Sequence, residues 1–268
     1  MKRNLLSLAL AASAVSLFAA SSAFAGTLSI GATPVPHAEI LEHIEPALKA
    51  SGVELKIVEF NDYVQPNLAV AENELDANFF QHQPYLDTFN KDHNLDLVSV
   101  AGIHIEPMGI YPGQSKDLAN VKDGALIAIP NDPTNGGRAL LLLQKAGLIK
   151  LSDPDNVAAT VLDISENPKK LEFRELEAAQ LPRSLPDVDF AVINTNFAMP
   201  AGLNPLKDAL LIEDADSPYV NIVVASQESK DNPDLKILIE QLKSADTAKF
   251  ITEKYNGAVV PVAGNQAR

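Results

Sequence analysis

From residue 26 onward the chain alternates between two hydrophobic periods. Leu28–Gly31 is a short apolar run that predicts a strand, and His37–Ser51 then places Ile40, Leu41, Ile44 and Leu48 on one face of a helix that Gly52 ends. Leu55–Phe60 alternates apolar and polar side chains, as a half-buried strand does. A helix over Gln65–Glu72, a strand end at Ala77–Phe80, a helix opened by Pro84 and a strand over Leu97–Ala101 follow. A second set begins past Pro112-Gly113. Ala125–Ile129 predicts a buried strand, Asn131–Gly137 a polar loop, and Arg138–Ala146 a helix closed by Gly147. Leu171–Leu176 and Phe190–Ile193 predict strands with a short helix, Ala178–Leu185, between them. Asn221–Ala225 predicts one more strand, and helices over Pro233–Ser244 and Thr247–Tyr255 close the pattern. Strands and helices in alternation build α/β layers around a largely parallel sheet. No Ser/Gly-rich tether separates the two sets, which suits two lobes joined by strands.

The first 25 residues follow a different rule. Met1-Lys2-Arg3 is basic, Leu5–Ala20 is apolar or small and uncharged, and Ala23-Phe24-Ala25 has the small-x-small form of a cleavage site. This predicts a signal peptide removed before Gly26, because the apolar stretch falls short of the roughly 20 residues a spanning helix needs. No later segment is long and apolar enough to cross a bilayer, so a soluble exported protein is expected. With 46% hydrophobic and 21% charged residues in 268, the chain can bury a core. A net charge of -14 excludes the basic surface that nucleic acid requires. The absence of Cys removes disulfides, zinc–thiolate sites, iron–sulfur clusters and a cysteine nucleophile.

Catalytic motifs are missing. There is no G-x-S-x-G, no G-K-[ST] phosphate loop, no H-E-x-x-H and no G-x-G-x-x-G. The five His have no local metal-site spacing, so neither a metal nor a cofactor is expected. Asp153-x-Asp155 and Asp187-x-Asp189 adjoin prolines and read as surface turns. What remains is a set of polar and aromatic residues at strand ends, where open α/β sheets collect ligands. Phe80, His82 and Tyr85 leave a strand and enter a helix; position alone leaves open a pocket wall or a core pair with a capping His. Tyr63, after Asn61-Asp62, is a similar case. Arg138 stands in the expected first turn of its helix, where a cation opposes the dipole. Either a bidentate grip on a ligand carboxylate or a structural ion pair would justify it. Asn196 and Asn221 sit at edges of apolar strands and can donate and accept at once.

Seven segments carry a resemblance. They are Gly31–Pro34, Phe60–Asn67, Asn78–Leu86, Ile105–Tyr111, Ile129–Asp132 through Arg138, Leu176–Arg183 and Asn194–Ala198. In this order across the chain, it resembles the NlpA-type methionine-binding lipoproteins of ABC importers. The resemblance implies a two-lobed, type II-like α/β periplasmic binding protein, each lobe a mainly parallel sheet flanked by helices, with a ligand cleft between them. The lobes would comprise 26–109 together with 201–268, and 110–200. It implies that Tyr63, Phe80, His82 and Tyr85 enclose the methionine side chain, that Arg138 takes the carboxylate, and that Asn196 and Asn221 help hold the backbone group. The implied partners are a membrane permease and its ATPase, with the binding protein acting as a monomer. Family members usually carry a Cys just after the signal peptide, which is acylated. Here Gly26 stands there, so a periplasmic form without a lipid anchor is expected.

Two other readings remain at this stage. The same scaffold could take another small apolar amino acid or a methionine-containing dipeptide. An exported α/β hydrolase using His82 as base is the other, and the missing nucleophile motif speaks against it.

Overall fold

The computed structural model describes residues 26–214 and 217–262; the expected signal peptide lies outside the described residues. The first set of elements is β1 (Thr27–Ala32), α1 (Glu39–Ala50), β2 (Glu54–Glu59), α2 (Gln65–Ala71), β3 (Ala77–His82), α3 (Gln83–His93) and β4 (Val98–Ile105). The second is β5 (Gly109–Pro112), β6 (Leu126–Pro130), α4 (Pro133–Lys145), β7 (Lys150–Leu151), β8 (Ile164–Glu166), β9 (Glu172–Leu176), α5 (Leu181–Ser184), β10 (Phe190–Ile193), α6 (Thr195–Ala198), α7 (Pro205–Asp208) and β11 (Leu211–Ile212). The chain then returns through β12 (Val220–Ala225), α8 (Pro233–Leu242), α9 (Ala245–Tyr255) and β13 (Val260–Pro261).

Two sheets result. One has the order β13-β4-β12-β3-β1-β2, the other β11-β5-β10-β6-β9. In the first, β1 pairs parallel with β2 and β3, and β12 runs antiparallel between β3 and β4. In the second, β6 pairs parallel with β9 and β10, and β5 is reversed between β10 and β11. The chain passes between the sheets twice, after β4 and before β12. The returning β12 can occupy the middle of the first sheet because it is apolar on both faces and almost fully buried. Its register sets Asn221 level with His82 on β3 and His104 on β4.

Each sheet has its own core. Ile40, Leu41, Ile44 and Leu48 of α1 are buried against the first sheet, as the helical period requires. Phe79 belongs to that core, whereas Phe80 packs with Tyr85 and Phe89 on the opposite face. Strand alternation predicts that division.

Two sequence expectations are corrected here. Helix α4 starts at Pro133, not Arg138, with Asp132 as N-cap accepting the Asn135 N–H at 2.9 Å. Gly136 and Gly137 lie inside the helix, so Arg138 is in the second turn and the dipole no longer argues for a ligand beside it. These glycines allow close approach: a Cβ on Gly137 would meet the Val157 carbonyl oxygen at 2.4 Å, and one on Gly136 the Pro130 oxygen at 3.0 Å. Asp189 is no surface turn. It is 4% exposed and accepts from Ser115 Oγ at 2.7 Å, Leu126 N at 2.9 Å and Lys122 Nζ at 2.9 Å, which pins the loop leading into β6.

Gly137→Ala tests the close approach. Alanine is the better helix former by about 1 kcal/mol, yet the clash is with backbone and cannot be relieved by a rotamer. We expect a net loss of about 1–3 kcal/mol in urea unfolding, and a smaller loss for Gly136→Ala.

Candidate functional site

All seven sequence-selected residues, Tyr63, Phe80, His82, Tyr85, Arg138, Asn196 and Asn221, line one cavity. Its walls come from both halves. The end of β3, the start of α3, the start of β12 and the loop after β2 supply one side. The first two turns of α4 and the segment after β10 supply the other.

One end is aromatic. The Tyr63 ring lies 5.8 Å from those of Phe80 and Tyr85 and 5.1 Å from Phe197. Burial pushes the Tyr63 and Tyr85 phenols up, so both remain neutral donors. The Tyr85 hydroxyl donates to the Tyr63 carbonyl at 2.9 Å, and the Tyr63 hydroxyl to Asn196 Oδ1 at 2.6 Å across the two halves.

The other end is polar. Arg138 Nε donates to Glu213 Oε1 at 2.8 Å, and Nη2 to Glu213 Oε2 at 2.5 Å and to the Glu106 carbonyl at 2.8 Å. Burial alone would weaken its charge, but Glu213 more than offsets that. The ring of Tyr219 covers one face of the guanidinium at 4.2 Å. Arg138 is therefore an ion-paired residue that also lines the cavity, and its Nη1 donates to no described residue.

Asn196 Nδ2 and Asn194 Oδ1 are buried without a partner among the described residues. Their other amide atoms are engaged, Asn196 Oδ1 by Tyr63 and Asn194 Nδ2 by Asn135 Oδ1 at 2.9 Å, which orients both amides. The cavity thus offers one lone donor and one lone acceptor, and such groups are costly to bury empty-handed.

His82 both caps and lines. Its Nδ1 accepts the Tyr85 N–H at 3.2 Å at the start of α3, and its Nε2 lies 3.1 Å from Asn135 Oδ1. Burial, with Arg138 adding to it, drives its pKa down to about 3. Both nitrogens are occupied, and the Thr195 hydroxyl in the same cavity donates to the Pro107 carbonyl at 2.6 Å. That leaves no poised base–nucleophile pair of the kind a hydrolase needs.

Behind the cavity His37, His104 and Glu106 converge. His104 Nε2 lies 2.7 Å and His37 Nε2 3.2 Å from Glu106 Oε1. Two ligands of one zinc would stand about 3.3 Å apart, so the shorter contact is a hydrogen bond. His37 also reaches Thr33 Oγ1 at 2.7 Å and Asn221 Oδ1 at 3.0 Å.

Glu106, Asn135, Asn194, Thr195 and Gln81 line the cavity without having been selected from sequence. Asn194 and Thr195 flank Asn196, and Glu106 opens the crossing after β4, so adjacency was a usable signal for these. Glu213 lies 75 positions from Arg138 and had none.

The model of the NlpA lipoprotein family matches residues 28–263. The D-methionine-binding lipoprotein MetQ of Salmonella typhi is 46% identical over 225 residues, covering 83% of this chain and 82% of that protein. A nutrient-binding protein from Burkholderia cenocepacia, solved bound to methionine, is 45% identical with a TM-score of 0.84, covering 87% of this chain and 99% of that one. A periplasmic substrate-binding protein of an ABC transporter from Coxiella burnetii is 42% identical with a TM-score of 0.83, covering 88% and 100%. These findings correct the expectation of an unanchored form. The family and the MetQ relative are named as lipoproteins. That expectation rested on one missing residue type, which speaks to a single attachment chemistry and not to where members of the family work.

The buried imidazoles predict a pH response. His37, His82 and His104 are held at about 4, 3 and 3 chiefly by burial, against about 6.5 when unfolded. Their stabilisation is complete above about pH 6.5 and is lost as the pH falls toward 4, by up to about 1.4 kcal/mol per pH unit for each. Glu106, whose pKa burial raises, acts in the opposite sense over the carboxylate range. Urea unfolding between pH 7 and 4.5 should show this slope, and His104→Asn should remove one proton from it.

Proposed function

Because the chain belongs to the NlpA lipoprotein family, we propose that it is a periplasmic solute-binding protein that captures methionine between two lobes and delivers it to the permease and ATPase of an ABC importer. No bond is made or broken. The observation that carries this reading is the two-ended cavity, aromatic at one end and short of one donor and one acceptor at the other.

The fit is chemical. An unbranched thioether beside Tyr63, Phe80 and Tyr85 gains sulfur–ring contacts of about 0.3–1.5 kcal/mol, and burying the side chain contributes roughly 1.5–3 kcal/mol. Arg138 Nη1 and Asn196 Nδ2 are the donors for the ligand carboxylate. His82 keeps its ring against the slot through its bond to Asn135, and Asn221 closes the wall on the β12 side.

The lobes in this proposal follow the sheets. The first is built from residues 26–109 and the C-terminal return. The second starts at 110, and we extend it from residue 200 to the end of β11, since Leu211–Ile212 pairs with β5. The crossings after β4 and before β12 then serve as the hinge. Tyr63–Asn196 and His82–Asn135 bridge the lobes across the cleft, so a buried ligand enters only if these bonds part.

Calorimetry on unfolded, washed and refolded protein tests the reading. Heat saturating at one L-methionine per chain is expected; silence at micromolar protein overturns it, and D-methionine in parallel gives the stereochemical preference. Arg138→Ala should weaken binding by about 3–5 kcal/mol by leaving a buried carboxylate unpaired. Unchanged affinity would remove Arg138 from the site.

A further inference from the structure

Glu106 is 5% exposed and lines the cavity, and its carboxylate has no part in the carboxylate-binding scheme above. It follows β4 on the first crossing between the sheets. One oxygen, Oε1, is tied back by His104 Nε2 at 2.7 Å, and His37 Nε2, which donates to Asn221 Oδ1 at 3.0 Å, lies 3.2 Å from it. His37 is anchored in turn by Thr33 Oγ1 at 2.7 Å. Both imidazoles are neutral near pH 7, so neither cancels the charge of the carboxylate: His104 donates an N–H to it, and His37 donates to Asn221 Oδ1. The Asn196 backbone N–H also favours the charged carboxylate, and no side chain among the described residues donates to the second oxygen, Oε2.

Charge balance points the same way. Arg138 and Glu106 are the charged residues lining the cavity, and Glu213 lies directly behind Arg138. With Glu106 ionised, one cation faces two anions, and this end of the site holds one surplus negative charge. An entering carboxylate alone would raise the surplus to two in a place shielded from water. A zwitterion brings its own cation and leaves the surplus unchanged while pairing it. The lone acceptor Asn194 Oδ1 lies in the same cavity and adds a second oxygen for an N–H donor.

We propose that Glu106 is the specificity-determining residue for the ligand's amino group: Glu106 Oε2 and Asn194 Oδ1 accept the α-ammonium, so the site takes α-amino acids and rejects the matching α-hydroxy acids. The proposal rests on the reading of the cavity as an amino-acid site. His104, which holds Oε1, is the positioning residue for the carboxylate, and His37 packs beside it.

The test compares L-methionine with 2-hydroxy-4-(methylthio)butanoate, which replaces the amine by a hydroxyl and keeps the rest. Titration calorimetry on wild type should favour methionine on the order of a hundredfold or more. Glu106→Gln should weaken methionine strongly, bind the hydroxy acid at least as well as wild type does, and collapse the ratio to below about tenfold. Equal binding of the two ligands by wild type, or a ratio preserved in E106Q, overturns the proposal. If E106Q does not fold, the wild-type ratio decides alone. If wild type ignores methionine but binds another α-amino acid in preference to its hydroxy acid, methionine falls as the ligand and the role of Glu106 stands.

Discussion

A guanidinium taken out of water has to have its charge paired, or it costs several kcal/mol. Arg138, 3% exposed on α4, meets that demand through groups on both crossings between the sheets: the Glu106 carbonyl on the first and the Glu213 carboxylate on the second. Glu213 also accepts the Met108 N–H at 2.9 Å, which stitches the crossings to each other. A single buried cation therefore fixes where the two halves meet. It also lines the space between them and keeps one nitrogen, Nη1, without a partner among the described residues.

The polar end of the cavity follows the same logic. Each side chain there is held by a neighbour at one atom, and several keep another atom unsatisfied. Asn196 is oriented by Tyr63 and Asn194 by Asn135, which also meets His82. Bonds on one side remove rotational freedom, so the unsatisfied atoms are already aimed before a ligand arrives. Less ordering is then left for the binding step. The neutral histidines fit this scheme because burial denies them a charge that would compete for Glu106.

Local patterns were legible where the cause is local. The apolar face of α1 and the division of Phe79 from Phe80 depend only on helical and strand periodicity, and both appear as read. Strand-end position, joined to a family resemblance, was enough to gather Tyr63, Phe80, His82, Tyr85, Arg138, Asn196 and Asn221 at one cavity. The start of α4 was misread because Gly136-Gly137 looks like a turn in sequence. Its cause, the backbone of Val157 against the helix, lies twenty positions on. Asp189 was misread for a like reason, since its partners Ser115, Lys122 and Leu126 belong to the loop before β6 and to the first residue of that strand, far back in the chain.

The sequence by itself determined the α/β alternation, the apolar faces and the residue types that gather at strand ends. Those follow from backbone period and side-chain polarity, which are properties of neighbours along the chain. Only the tertiary structure decided that Arg138 is shared with Glu213, that Asn194 and Asn196 each keep one atom unpaired, and that Glu106 lines the cavity with Oε1 bonded to His104. Pairing and burial depend on what distant segments bring to the same point, and no local pattern records that.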